Sequence, residues 1–329
     1  MAVAERRSIE PVPSEARNPG TPFEPEWFEN ARVNLSAVER RVTTLTTRRS
    51  VKKAHQAAWL LRAISLVDLT TLAGNDTPGN IRRLAAKARR PVRSDLLEAL
   101  GMADAGLTTA AVCVYHAMVP PAVAALCGSG VPVAAVSAGF PAGLSPYRQR
   151  LAEVSASVEA GAREIDIVIS RRFVLTGDWS ALYREVRSLR EACGDAHLKA
   201  ILATGELGTL RNVYKASVVA MQAGADFIKT STGKESVNAT LEVSLVMIRA
   251  IRDYLARTDV RVGFKPAGGI RSAKQALDWQ VLVKEELGRD WLEPELFRFG
   301  ASSLLADIER QLEHYVTGRY SAAFRHPLG

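Results

Sequence analysis

The chain reads as an α/β protein, a (β/α)8 TIM barrel preceded by an N-terminal helical extension, and three observations lead there. Eight short, mostly apolar runs alternate with longer amphipathic ones between residues 63 and 316, the count and span of a closed barrel of about 250 residues. Most of the short runs are apolar on both faces, as strands buried on both sides of a parallel sheet must be. The first run and its succeeding loop, AISLVDLTTLAGNDT, lack the glycine-rich turn that a doubly wound nucleotide-binding sheet places after its first strand.

Residues 1–30 carry Pro11, Pro13, Pro19, Pro22 and Pro25 among Glu, Ser and Gly. That composition buries too little surface to order itself and predicts a mobile tail. From residue 31 to 62 the apolar positions Val33, Leu35, Val38, Val42 and Leu45 recur at mixed steps of two to four residues, which predicts a helical extension. The barrel is expected over 63–316. Its strands fall at 63–70, 108–115, 132–140, 164–170, 197–204, 226–232, 261–268 and 296–302. Helices are expected at 145–161, 177–194, 210–224, 244–258 and 272–288, several ending in a glycine that takes the left-handed conformation which stops a helix. Residues 317–329 remain as a C-terminal tail.

With 329 residues and 47% hydrophobic content, the chain has enough apolar surface for one large core or two modest ones. No apolar run approaches the roughly 18–20 residues that span a bilayer, and MAVAERRSIE lacks the apolar stretch of a secretory signal. A cytoplasmic protein with no membrane partner is expected. Cys113, Cys127 and Cys193 show no paired spacing, and His55, His116, His197, His314 and His326 show no HxH or HExxH pattern, so neither a disulfide framework nor a metal site is expected. The net charge of +8 is spread among acidic residues, as on a solvated surface. It argues against a nucleic-acid partner and favours phosphorylated substrates.

Active-site residues of such barrels sit at the C-terminal ends of the strands. The polar residues that interrupt apolar strands there are Asp68, Cys113, Asp166, Lys199, Lys229 and Lys265. One strand lysine alone pairs with a carboxylate or snorkels to the rim. Three from successive strands, preceded by Asp166, suggest ammonium groups that repel one another in a desolvated site, where at least one loses its proton more easily than free lysine. Lowering a pKa from about 10.4 to about 7 raises the neutral fraction roughly 10³-fold at pH 7, the gain a Schiff-base nucleophile needs. Asp166 and Lys265 together can shuttle protons. The alternative for Asp166 is a strand-end carboxylate satisfied by Lys199 or Lys229.

An anionic substrate needs an anchor, and PAGGIRSA after the seventh strand and FGASSLLADIE after the eighth stand where barrels commonly hold phosphate. Gly268, Gly269 and Gly300 allow close backbone approach, and Ser302 and Ser303 open the last helix with free N–H groups. Gly233 and Lys234 in TSTGK add a third contact. TSTGK is not a nucleotide-binding loop, because Ile228 stands where its earlier glycine belongs.

Taken together, SLVDLTTL, TTAAVCVY, AGFPAG, EIDIVI, LKAILATGEL, ADFIKTSTGK, GFKPAGGIR and RFGASSLL, spread between about Val51 and Tyr320, resemble the deoxyribose-phosphate aldolase family and its longer members. The resemblance implies that Lys229 of KTSTGK forms the imine and that Lys265 of GFKPAGG and Asp166 of EIDIVI donate and accept protons; Lys199 is expected, from the repulsion among the strand lysines, to support Lys229 by lowering its pKa. It implies phosphate contacts at Gly233, Lys234, Gly268, Gly269, Arg271, Gly300, Ser302 and Ser303, with Asp68 and Thr70 on the substrate's hydroxyl side; Cys113, a polar residue at the end of the second strand, is expected among the substrate-binding residues beside them. The implied reaction is metal-independent, cofactor-free cleavage of 2-deoxy-D-ribose 5-phosphate to D-glyceraldehyde 3-phosphate and acetaldehyde. A homo-oligomer is compatible with it. Two positions depart from the family: His116 replaces a usual proline, and Tyr320 is only the nearest match to a tyrosine that reaches the site in some members.

Overall fold

Eight parallel strands form the sheet of the computed structural model, which describes residues 17–322 and Arg325. They are β1 (Val67–Thr70), β2 (Ala111–Tyr115), β3 (Val133–Ser137), β4 (Glu164–Val168), β5 (His197–Ile201), β6 (Phe227–Lys229), β7 (Gly263–Lys265) and β8 (Phe299–Ala301). Neighbours in sequence are neighbours in space, β1 also pairs with β8, and the bridges Phe264 to Phe297 and Ala267 to Gly300 close the ring into a TIM barrel.

The helices are α1 (Leu35–Arg48), α2 (Lys53–Ser65), α3 (Pro78–Arg89), α4 (Ser94–Ala99), α5 (Val119–Leu126), α6 (Tyr147–Glu159), α7 (Arg171–Thr176), α8 (Trp179–Ala192), α9 (Leu210–Gln222), α10 (Leu241–Thr258), α11 (Ala273–Leu287) and α12 (Leu304–Thr317). Polar side chains cap the start of six of them, Asn34, Thr77, Asp178, Thr209, Thr240 and Ser272. Thr209 and Thr240 accept the N–H three residues on, and Ser272 with Gln275 forms a reciprocal capping box at α11. Outward strand residues such as Ile165, Ile167, Leu198 and Ala200 are buried under the helices.

Period-two alternation sends Glu164 and Asp166, Lys199, Phe227 and Lys229, Lys265, and Asp68 into the barrel's interior, where branched apolar residues usually dominate. Gly263 has no side chain because the Phe227 ring occupies that space. The interior is therefore partly ionic.

Two expectations need correction. The first strand begins at Val67, because residues 63–65 belong to the end of α2, with Ala63 and Ile64 fully buried. A short apolar run alone does not separate a buried helix from a strand. The second concerns the supposed tail of residues 1–30. Residues 1–16 lie outside the described residues, but residues 17–30 are packed on the barrel. Asn18 is buried, its backbone N–H donates to Asp226 Oδ1 (2.9 Å), and its side chain donates to the carbonyls of Met221 (2.7 Å) and Ala225 (2.9 Å). Phe23 packs at a tilt against Tyr183, Trp27 at a tilt against Tyr254, and Phe28 edge-on against Trp179. Averaging composition over thirty residues hid three aromatics concentrated within six positions, and each carries a large apolar area.

Candidate active site

The parallel register sets the site. Asp166 pairs with Lys199 across β4 and β5, and Lys229 is level with Lys265 across β6 and β7. All point inward at the C-terminal half of the barrel. Asp166 Oδ2 accepts from Lys229 Nζ and from Lys265 Nζ, both at 2.7 Å. Lys265 also donates to Asp68, and Lys199 donates to Glu164 while standing 3.2 Å from Asp166 Oδ1 and 3.7 Å from Asp68 Oδ2. Arg298 completes the cluster, donating to Asp68 Oδ1 (2.6 Å) and Glu164 Oε1 (2.9 Å).

Four cations thus face three carboxylates, all seven side chains buried. Burial favours the uncharged form of each carboxylate, and the surrounding cations outweigh it, so Asp68, Glu164 and Asp166 are held below the ordinary carboxylate range. Burial likewise opposes charge on Lys199, Lys265 and Arg298, and the carboxylates prevail, holding all three above their ordinary values. This corrects the expectation of lysines that repel one another freely. The carboxylates interleave them, and Lys199 and Lys265 stay firmly charged.

Lys229 differs from the other members in two ways. It has one carboxylate partner, Asp166, and of the seven it alone lines a cavity of about 370 Å³ at the C-terminal mouth of the barrel. One proton removed from the cluster brings four cations and three carboxylates to electroneutrality.

Ten predicted residues line that cavity: Lys229, Thr70, Gly233, Lys234, Gly268, Gly269, Arg271, Gly300, Ser302 and Ser303. The β7 and β8 loops face it with unused donors. Among the described residues, the N–H groups of Gly268, Gly269, Ser302 and Ser303 make no hydrogen bond inside the chain. Ser302 and Ser303 lie at the N-terminus of α12, whose dipole adds partial positive charge. Gly300 is required for closeness, since a Cβ there would meet Ala267 Cβ at 2.7 Å and Lys265 Cε at 3.3 Å. Thr230 and Ser231 stitch the β6 loop to the β7 loop through the backbone of Ala267.

Asp166, Lys199 and Lys265 lie directly beneath Lys229 rather than on the wall. Asp68 and Cys113, expected to touch a substrate, also lie below it. Both oxygens of Asp68 are taken by Lys265 and Arg298. Cys113 packs with Ala134 and Val136, and burial pushes its thiol up, away from the reactive thiolate. His116 hydrogen-bonds Ser157 on α6 at 3.0 Å, and Tyr320 is 63% exposed and stacked on His314, so neither enters the cavity. Sequence reading missed Glu164 and Arg298. Each stands two residues before an inward position already singled out, Asp166 and Gly300, so strand alternation carries the signal.

A family model described as DeoC/LacD family aldolase matches residues 62–309. The deoxyribose-phosphate aldolase of Homo sapiens is 61% identical over 315 residues, spanning 95% of this chain and 99% of its own, and that of Mus musculus is 61% identical over 311 residues, spanning 94% and 98%. In fold, the chain is similar to a deoxyribose phosphate aldolase of Aeropyrum pernix described as tetrameric, with a TM-score of 0.57 at 22% identity over 85% of this chain and 99% of that one. The chain belongs to the DeoC/LacD family of aldolases.

Proposed function

We propose that the chain is a class I deoxyribose-phosphate aldolase in which Lys229 forms the Schiff base. It cleaves 2-deoxy-D-ribose 5-phosphate reversibly to D-glyceraldehyde 3-phosphate and acetaldehyde, a step of deoxyribonucleotide catabolism. The observation that carries the residue assignment is that Lys229 alone, of a buried seven-residue ion cluster, reaches a cavity whose far side is lined by free backbone donors and by Lys234 and Arg271.

Lys229 Nζ, as the free amine, attacks C1 of the open-chain sugar, and the resulting carbinolamine loses water to give the imine. The bond between C2 and C3 then breaks as the C3 hydroxyl gives up its proton. D-Glyceraldehyde 3-phosphate leaves, and the two-carbon fragment remains on Lys229 as an enamine. Protonation at C2 and hydrolysis release acetaldehyde. Asp166, 2.7 Å from both Lys229 and Lys265, is placed to take and return the proton, with Lys265 as the reservoir. Lys199, Glu164, Arg298 and Asp68 hold that pair rigidly from below. The β7 and β8 loops, Lys234 and Arg271 receive the phosphate, fixing C1 against Lys229.

Among the described residues no helix is long and apolar enough to cross a membrane. The reading is completed by a cytoplasmic location and a homo-oligomer, the latter checked by a scattering mass. The activity is tested by supplying acetaldehyde as donor with glyceraldehyde 3-phosphate. Formation of deoxyribose 5-phosphate is the expected result. Failure to condense acetaldehyde, with turnover of a ketose or keto-acid donor instead, would overturn it.

A further inference from the structure

The β6 loop, residues 232–238, carries an acidic residue that the proposed chemistry does not use. Glu235 does not line the cavity, but its carboxylate gathers the donors of the residues that do. The Thr232 N–H lies 3.1 Å from both carboxylate oxygens, the Thr232 hydroxyl donates at 2.8 Å, and the Gly233 N–H donates at 3.1 Å. Successive backbone N–H groups converging on one anion form a nest, normally a ligand's place and here filled by the chain's own carboxylate.

The same residue ties the far end of the loop. Its carbonyl accepts from Asn238 Nδ2 at 2.9 Å, and the Asn238 side chain presses on the β7 loop, where a Cβ on Gly268 would meet it at 2.6 Å. Lys234, between these two ties, has its N–H on Thr232 Oγ1 and its ammonium on the Leu72 carbonyl, both at 3.1 Å, which stretches it across the cavity mouth from β6 towards β1.

The N–H groups of Thr232 and Gly233 are thus already taken, so this loop meets an anion through the Lys234 ammonium, and Gly233 contributes room rather than a donor. We propose that Glu235 is a positioning residue that sets selectivity for the phosphorylated sugar, holding residues 232–238 against Gly268 so that Lys234 and the β7 loop meet the phosphate together. This rests on the function proposed above. A charged acceptor with three donors is among the stronger local restraints available to a surface loop.

The test compares kcat/KM for 2-deoxyribose 5-phosphate with that for unphosphorylated 2-deoxyribose, in the full chain and in Glu235→Ala, Glu235→Gln, Lys234→Ala and the Glu235→Ala, Lys234→Ala double variant. Glu235→Ala is expected to lower the ratio about tenfold, mainly through KM of the phosphorylated sugar, and Glu235→Gln, which keeps one acceptor oxygen, about threefold. The double variant is expected to match Lys234→Ala closely, because the two residues act as one unit. Should the alanine variant not fold, the glutamine variant carries the test. A ratio unchanged in the variants, whether both substrates suffer equally or neither does, overturns the proposal, as do fully additive effects of the two substitutions. Wild-type chain that cleaves neither sugar would instead overturn the function itself.

Discussion

Lys229 and its two lysine neighbours differ in company rather than in kind. Lys199 faces three carboxylates and Lys265 two, while Lys229 has Asp166 alone and touches the cavity. In the proposed reaction Asp166 is therefore the hinge of the proton chemistry. Asp166→Asn is expected to lower kcat by about 10²-fold or more, with KM for the sugar phosphate changed far less, because the amide neither takes a proton nor balances three ammonium groups. Steady-state kinetics at saturating substrate check this, and a kcat within a few-fold of wild type would contradict it. The lysines and Asp166 were legible in the sequence because each interrupts an apolar strand. Their mutual neutralisation was not, since it depends on Glu164 and Arg298, which meet across 134 residues of chain.

Loops after β7 and β8 bring free donors to one cavity above this buried charge, and the β6 loop adds the Lys234 ammonium. Gly268 stands at their junction with φ of +87°, where an L side chain is strained and where a Cβ would press on Asn238. Gly268→Ala is expected to raise KM for deoxyribose 5-phosphate about tenfold while leaving borohydride-trappable imine formation with acetaldehyde nearly intact. Equal loss in both assays would show that the loop does not act through the phosphate. Eight strands and the cavity-lining loops after β7 and β8 were readable from alternating apolar runs and Gly/Ser clusters. The start of β1 was not, because the end of α2 is as apolar as the strand. The packed segment of residues 17–30 was not either, because Asn18 is held by contacts with Met221, Ala225 and Asp226, some two hundred residues away.

The barrel as a unit holds its chemistry in its own core, so stability and activity depend on the same cluster. Removing one partner of a buried pair leaves an uncompensated charge, and Arg298→Met is expected to destabilise the fold by about 3–5 kcal/mol in chemical denaturation at neutral pH. Because the carboxylates' pKa values are depressed in the fold, the stabilisation they confer is present above their ordinary values of 3.8 for Asp and 4.5 for Glu, and is lost as pH falls towards the depressed ones. The stability gap between the chain and Arg298→Met is thus expected to be constant from about pH 5 to neutrality and to narrow steadily below about pH 4. A gap that widens in acid would contradict the ionic account. The imine itself is tested most directly on the intact chain, by incubation with acetaldehyde and borohydride followed by peptide mass mapping. The account predicts a single ethyl adduct, on Lys229. An adduct on Lys199 or Lys265 instead, or none from catalytically active chain, would contradict it.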